Sequence, residues 1–375
     1  MHKLLQGILI GFSFAGAVAP AALQAQSATA GMMEARFPSL AQYLNAAEVL
    51  QAAVFDEIVV SNESTESQFG KVLLREEIEE LAAAEFSHYH TASNHMAMLG
   101  PFRVFETRAT PGLQAMIRDE FAAEEIANVL EANGSIPESA VAVLERGREF
   151  GITLLDIYLD NNVIDKHTAV DVALTEYLSE DSLSVAALPK HPDLLSEHPY
   201  AYAFRVGFPQ LSGLTWASQW LQIAALEATI LAESDAEVES GIATVIALYE
   251  EKISPTHGSL MSLPTDIPTL PVIAPNVYSF HPGAAYVLDN IAVFKVVVGD
   301  LLAHPDVPDR RAAIEAAVTS FTDKENYLDQ EMKYLEFVLR GGIFNQGGPA
   351  LGGLTQSERN RGRAATQHVS NYPMR

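Results

Sequence analysis

Residues 85–95 read EFSHYHTASNH, three histidines and a glutamate inside a segment otherwise rich in alanine and leucine. On a helix, where each residue advances about 100°, Glu85, His88 and His95 fall within roughly 80° of one another and His90 points away. Glu85-x-x-His88 can therefore offer a carboxylate and an imidazole to one metal ion from one helix face, as the Glu-x-x-His pairs of di-iron and di-manganese bundles do. His95 lies about 10 Å further along the axis, at 1.5 Å per residue, and suits a second ion or a relay. Leu74, Ile78, Leu81 and Leu99 mark the same stripe, so this face is expected to turn inward. Buried there without metal, Glu85 and His88 would form an ion pair instead.

A single Glu-x-x-His needs ligands from a second helix. Glu120 and Glu124, one turn apart, are candidates, and their alternative is solvated helix surface. Glu227 stands alone in the apolar stretch QIAALEATILAES, so it should be paired, protonated or a ligand. Iron, manganese, zinc or copper would suit this donor set, and haem held by His88 or His95 is a further option. Asp289, Lys295, Asp300 and His304 interrupt the apolar run AAYVLDNIAVFKVVVGDLLAH. Asp300 and His304, spaced i, i+4, can meet on one face; Asp289 and Lys295 lie nearly opposite one another. Lys295 is expected to snorkel toward solvent and Asp300 to tie down the helix end.

The elements that must position these groups are helical. Apolar residues recur at three- and four-residue spacing over 39–61, 66–99, 112–132, 137–160, 166–179, 209–233, 235–253, 284–304 and 309–340, whereas alternating strand-like runs are few. The fold class expected is an all-α multi-helix bundle of two packed helical subdomains with a long Pro-rich loop. Thr65-x-x-Gln68 and Ser135-x-x-Glu138 have capping-box spacing, Pro111 and Pro137 suit first helical turns, and Asn133-Gly134 and Gly341-Gly342 suit left-handed exits. The expected division is a signal peptide over 1–25, a helical unit over 26–180, an irregular junction over 181–208, a second helical unit over 209–340 and a Gly-rich, basic tail over 341–375. Within the second unit, residues 254–283 carry six prolines and no helical repeat. A connection of that length suggests a lid, a binding loop or an excursion laid over a helical layer. No internal repeat is legible.

The first 30 residues place Lys3, an apolar stretch and then an Ala-rich zone in the order of a secretory signal, which predicts a periplasmic or secreted protein. The chain has no cysteine, which rules out thiol nucleophiles, Cys-bound zinc and covalent c-type haem. A net charge of −25 disfavours nucleic acid and anionic lipid. There is no G-x-S-x-G elbow, H-E-x-x-H helix, Walker loop or strand-to-helix G-x-G-x-x-G. Three function classes follow. The first is an exported helical metalloprotein, a ferritin-like oxidoreductase or a metal store. The second is a ligand-binding or scaffold protein that uses the groove between its helical units and the Pro-rich segment, and the third is a helical glycan-processing enzyme with paired carboxylates.

Overall fold

The structure, a computed structural model, describes residues 31–83, 100–119, 121, 129, 134–190, 195, 198–254, 267–325, 327, 334–335 and 349–351. Among them the chain is all-α, with 13 α-helices and no strand. In chain order these are α1 (Met32–Arg36), α2 (Pro38–Glu63), α3 (Gln68–Ala83), α4 (Arg103–Met116), α5 (Glu138–Leu159), α6 (Lys166–Leu178), α7 (Ala203–Gly207), α8 (Pro209–Leu231), α9 (Asp235–Lys252), α10 (Leu270–Ile273), α11 (Pro275–Phe280), α12 (Pro282–Ala303) and α13 (Arg310–Thr322).

Most predicted spans match these helices to within two residues; residues 84–99 of the span 66–99 lie outside the described residues, and the other departures have local causes. Helix α4 begins well before residue 112 and carries Pro111 inside it, not in its first turn. The missing N–H frees the carbonyl of Thr107, which lies on the exposed side of the helix where water can satisfy it. Helix α13 stops at Thr322 because Asp323 turns its carboxylate onto the N–H of Glu325, a local bond that competes with the helix. Neither capping box forms as spaced. Ser64, not Thr65, accepts from the Glu66 N–H, and Ser135 donates to Asp56 while Pro137 occupies the N-cap of α5. Gly134 does take the left-handed conformation, at φ 67°. The second half of the Pro-rich segment is helical, since Pro271, Pro275 and Pro282 all sit in first turns, where proline loses no helical hydrogen bond.

The structure reveals an internal repeat. One constant shift along the chain carries α5 onto α12 and α6 onto α13, with the loops between them in register. It takes the Phe150–Tyr177 ring pair, centroids 4.8 Å apart, onto Phe294–Phe321 at 5.1 Å. The N-cap of α6, Asp165 accepting from Thr168, becomes that of α13, Asp309 accepting from Ala312. In the loop, the Asn162 N–H donates to Asp160 as the Asp306 N–H donates to His304. Lys166, which donates to the Tyr158 carbonyl at the end of α5, becomes Arg310, which donates to the Leu302 carbonyl at the end of α12.

A second constant shift carries α1 onto α7 and Phe37-Pro38 onto Phe208-Pro209. Both phenylalanines adopt nearly the same backbone angles, φ −133° with ψ 64° and φ −132° with ψ 60°, and turn a short helix into a long one. Gly31 and Tyr202, at the heads of α1 and α7, both have positive φ. Tyr202 is held there although non-glycine residues disfavour it, because its N–H donates to Asp300 and its ring lies under the Arg205 guanidinium.

The two repeats interlock. Helix α2 packs against α8 and α12, and so does α5, so around the central four-helix ring each neighbour comes from the other repeat. Helices of one repeat stand diagonally. The expected irregular junction over 181–208 already contains α7 and Phe208 of the second repeat, so the repeats part before Tyr202, while one continuous hydrophobic core contains residues of both.

Candidate functional site

The long helices are polar where they meet other helix ends. Five buried carboxylates accept backbone N–H groups at helix starts in trans: Asp156 from Met33 (α1), Asp300 from Phe204 (α7), Glu106 from Gln210 and Leu211 (α8), Asp289 from Leu270 (α10) and Glu227 from Asn276 and Val277 (α11). The first N–H groups of a helix lack partners and its N-terminus is electropositive, so a carboxylate there is satisfied twice over. Burial pushes Glu106 up to about 8 and Asp289 up to about 7 against the pull of those bonds. Opposite chemistry closes helix ends. Asn62 donates to the Leu302 and Ala303 carbonyls, Arg146 to Glu176 and Tyr177, and Lys190 to Ser320.

These bonds give partners to several predicted residues. Glu227 is fully buried, and besides the two N–H groups its carboxylate takes the Asn276 side-chain amide at 2.6 Å. Burial raises its pKa while the three partners oppose the rise. Asp300 caps α7, with His198 Nε2 at 3.4 Å from its other oxygen, and His304 ends α12 against the ring of Tyr200. Glu85, His88, His95, Glu120 and Glu124 lie outside the described residues. Among the described residues no group of three or more His, Asp or Glu side chains is arranged to hold a metal ion.

The concave site is at the centre of the ring. A cleft enclosing about 1100 Å³ of atom-free space, part of it open to solvent, is lined from all four central helices, from α7, and from Ile267 and Pro268 of the Pro-rich segment. Its polar wall contains Glu48 of α2, Arg148 of α5, Gln219 and Gln222 of α8 and Lys295 of α12. Lys295 reaches Glu48 Oε1 at 3.4 Å, and Arg148 is held by Glu145 at 2.9 Å. Lys295, expected to snorkel, is only 23% exposed and ends on a carboxylate from the other repeat. Glu48 Oε2 is buried without a hydrogen-bond partner among the described residues. So is Trp216 Nε1, on a side chain only 5% exposed. Lys252 lies 5.8 Å from the centroid of that Trp216 ring and 4.5 Å from that of Trp220, and burial lowers its pKa.

The repeat makes the asymmetry of the cleft legible. The shift that superposes α2 on α8 pairs Glu48 with Gln219, Gln51 with Gln222 and Asn45 with Trp216, all of them cleft residues. The shift that superposes α5 on α12 pairs Arg148 with Ala292 and Gly151 with Lys295. Where Lys295 meets Glu48, its counterpart Gly151 lies so close to α8 that a Cβ there would collide with the Gln222 amide. The Glu48–Lys295 pair is thus charged where its counterpart, Gln219 and Gly151, is neutral. Sequence reasoning missed Glu48, although the signal that singled out Glu227, a lone carboxylate in an apolar helix, applies to it equally.

Comparison with known proteins returns no matching family model, curated protein or solved structure.

Proposed function

We propose that this chain binds a small organic solute in the cleft between its two repeats, the ligand-binding class expected from a groove between helical units beside the Pro-rich segment. The supporting observation is the cleft itself, where the Lys295–Glu48 pair and the amides of Gln219 and Gln222 stand among apolar side chains from all four central helices. Apolar walls with a few convergent polar groups are the usual make-up of such sites.

The test is a thermal-shift and native mass spectrometry screen of small metabolites on the wild-type protein and on Ala47→Trp, which fills the cleft from a partly exposed wall position. A ligand should raise the wild-type melting temperature and lose its effect in Ala47→Trp, with the helical circular dichroism unchanged. Equal shifts in both proteins would place binding elsewhere and defeat the reading. A metal held by Glu85 and His88 is a separate proposal carried by their spacing. Stoichiometric metal lost in Glu85→Ala and His88→Ala but retained in His90→Ala would support it, and metal-free wild-type protein indifferent to chelators would end it.

A further inference from the structure

We propose that His281 is an acid-sensitive latch between the two repeats: neutral, it ties the end of α5 to the head of α12, and protonated, it leaves that seat and loosens the joint between α11 and α12. The seat suits a neutral ring. His281 is only 5% exposed, stands between α11 and α12, and is hydrogen-bonded through Nε2 to the Tyr158 hydroxyl of α5. Its Nδ1 is buried and has no hydrogen-bond partner among the described residues. In the neutral ring Nδ1 can be a bare lone pair while Nε2–H donates to Tyr158, but the imidazolium must carry a second hydrogen on Nδ1. A buried donor without an acceptor is disfavoured.

The neighbouring groups act in the same direction. From α6 the His167 ring lies against that of His281, centroids 4.9 Å apart, so two imidazolium ions would repel there. Asp171 pulls the other way, but it stands 3.9 Å from His167 and is 65% exposed, where water screens it. Lys166, over the Tyr158 ring, donates to the Ile157, Tyr158 and Asp160 carbonyls. Burial first, and His167 after it, hold His281 below its ordinary 6.5, with Asp171 opposing. A ring released from the seat therefore takes up a proton at a higher pH than the seated ring does, so the latch is closed at neutral pH and opens as pH falls below 6.5. It occurs once. The shift that relates the repeats carries Tyr158 onto Leu302, His281 onto Pro137, and the His167–Asp171 pair onto Arg311–Glu315, none of them histidine at the corresponding place.

The test is local, because the buried carboxyls Glu106 and Asp289 titrate in the opposite sense. Amide hydrogen exchange, corrected for its intrinsic pH dependence, is followed by NMR on the full chain together with titration of the His281 ring. The amides of His281 and Ala285, bonded to the Val277 and His281 carbonyls, should lose about tenfold in protection between about pH 7 and pH 5.5. Val141, bonded to Pro137 at the symmetry-related joint, should not. In His281→Gln, which cannot titrate, the Ala285 loss should vanish. His167→Gln, at an exposed position, should raise the His281 midpoint by removing the repulsion, and it keeps the idea testable if His281→Gln does not fold. Protection at Ala285 that is indifferent to pH, an equal loss at Val141, a loss that persists in His281→Gln, or a His281 midpoint at or above 6.5 would each overturn the latch.

Discussion

At the scale of the residue, a carboxylate alone in an apolar helix survives burial by finding donors. Glu227 finds them in backbone: the first turn of α11 presents the N–H groups of Asn276 and Val277, and the Asn276 amide completes the shell. Glu227→Ala should therefore destabilise by on the order of 2–3 kcal/mol in urea unfolding, the cost of orphaning buried donors. Glu227→Gln keeps an acceptor oxygen and should cost less. Equal losses for the two would show that the capping bonds are not what the side chain contributes. The isolation of Glu227 in sequence pointed correctly to a residue under constraint. It could not reveal the partner, because Asn276 belongs to a helix whose docking is tertiary.

At the scale of the element, the repeat is written in caps as well as in side-chain identity. Asp156 of α5 and Asp300 of α12 occupy corresponding positions and take the N–H groups of Met33 and Phe204, themselves corresponding residues of α1 and α7. Core residues coincide as well, among them Leu144 with Leu288, Phe150 with Phe294 and Leu50 with Leu221, although an apolar face tolerates many side chains of about the right volume while an orphan N–H needs an acceptor at one place. Asp156→Ala and Asp300→Ala should each lower stability by about 1–3 kcal/mol, and each Asn variant should recover part of the loss by accepting through its amide oxygen. Chemical denaturation of the four proteins checks this. A neutral Asp156→Ala beside a damaging Asp300→Ala would break the equivalence.

At the scale of the whole molecule, buried carboxyls couple folding to pH. Glu106 is raised from 4.5 to about 8 and Asp289 from 3.8 to about 7, both chiefly by burial. The folded state thus holds protons that the unfolded chain releases, so their contribution is full below about pH 4 and is lost as pH rises toward 7 and 8. Lys190, lowered from 10.5 to about 7 by burial, acts in the opposite sense from about pH 7 upward, and so offsets Glu106 between pH 7 and 8. The melting temperature should fall between pH 5 and pH 7, and Glu106→Gln with Asp289→Asn should flatten the slope. A wild-type profile rising across that interval would contradict it. The sequence by itself determined the class and most of the helices, because three- and four-residue periodicity and first-turn prolines are local properties that burial only has to confirm. It also marked Glu227, Lys295 and Asp300 as residues with a task. Tertiary structure alone decided that the two repeats interlock diagonally, that Lys295 ends on Glu48 across the repeat boundary, and that Trp216 faces the same cleft. Those relations join helices far apart in the chain, and the spacing of residues along a single helix carries no information about which other helix stands opposite.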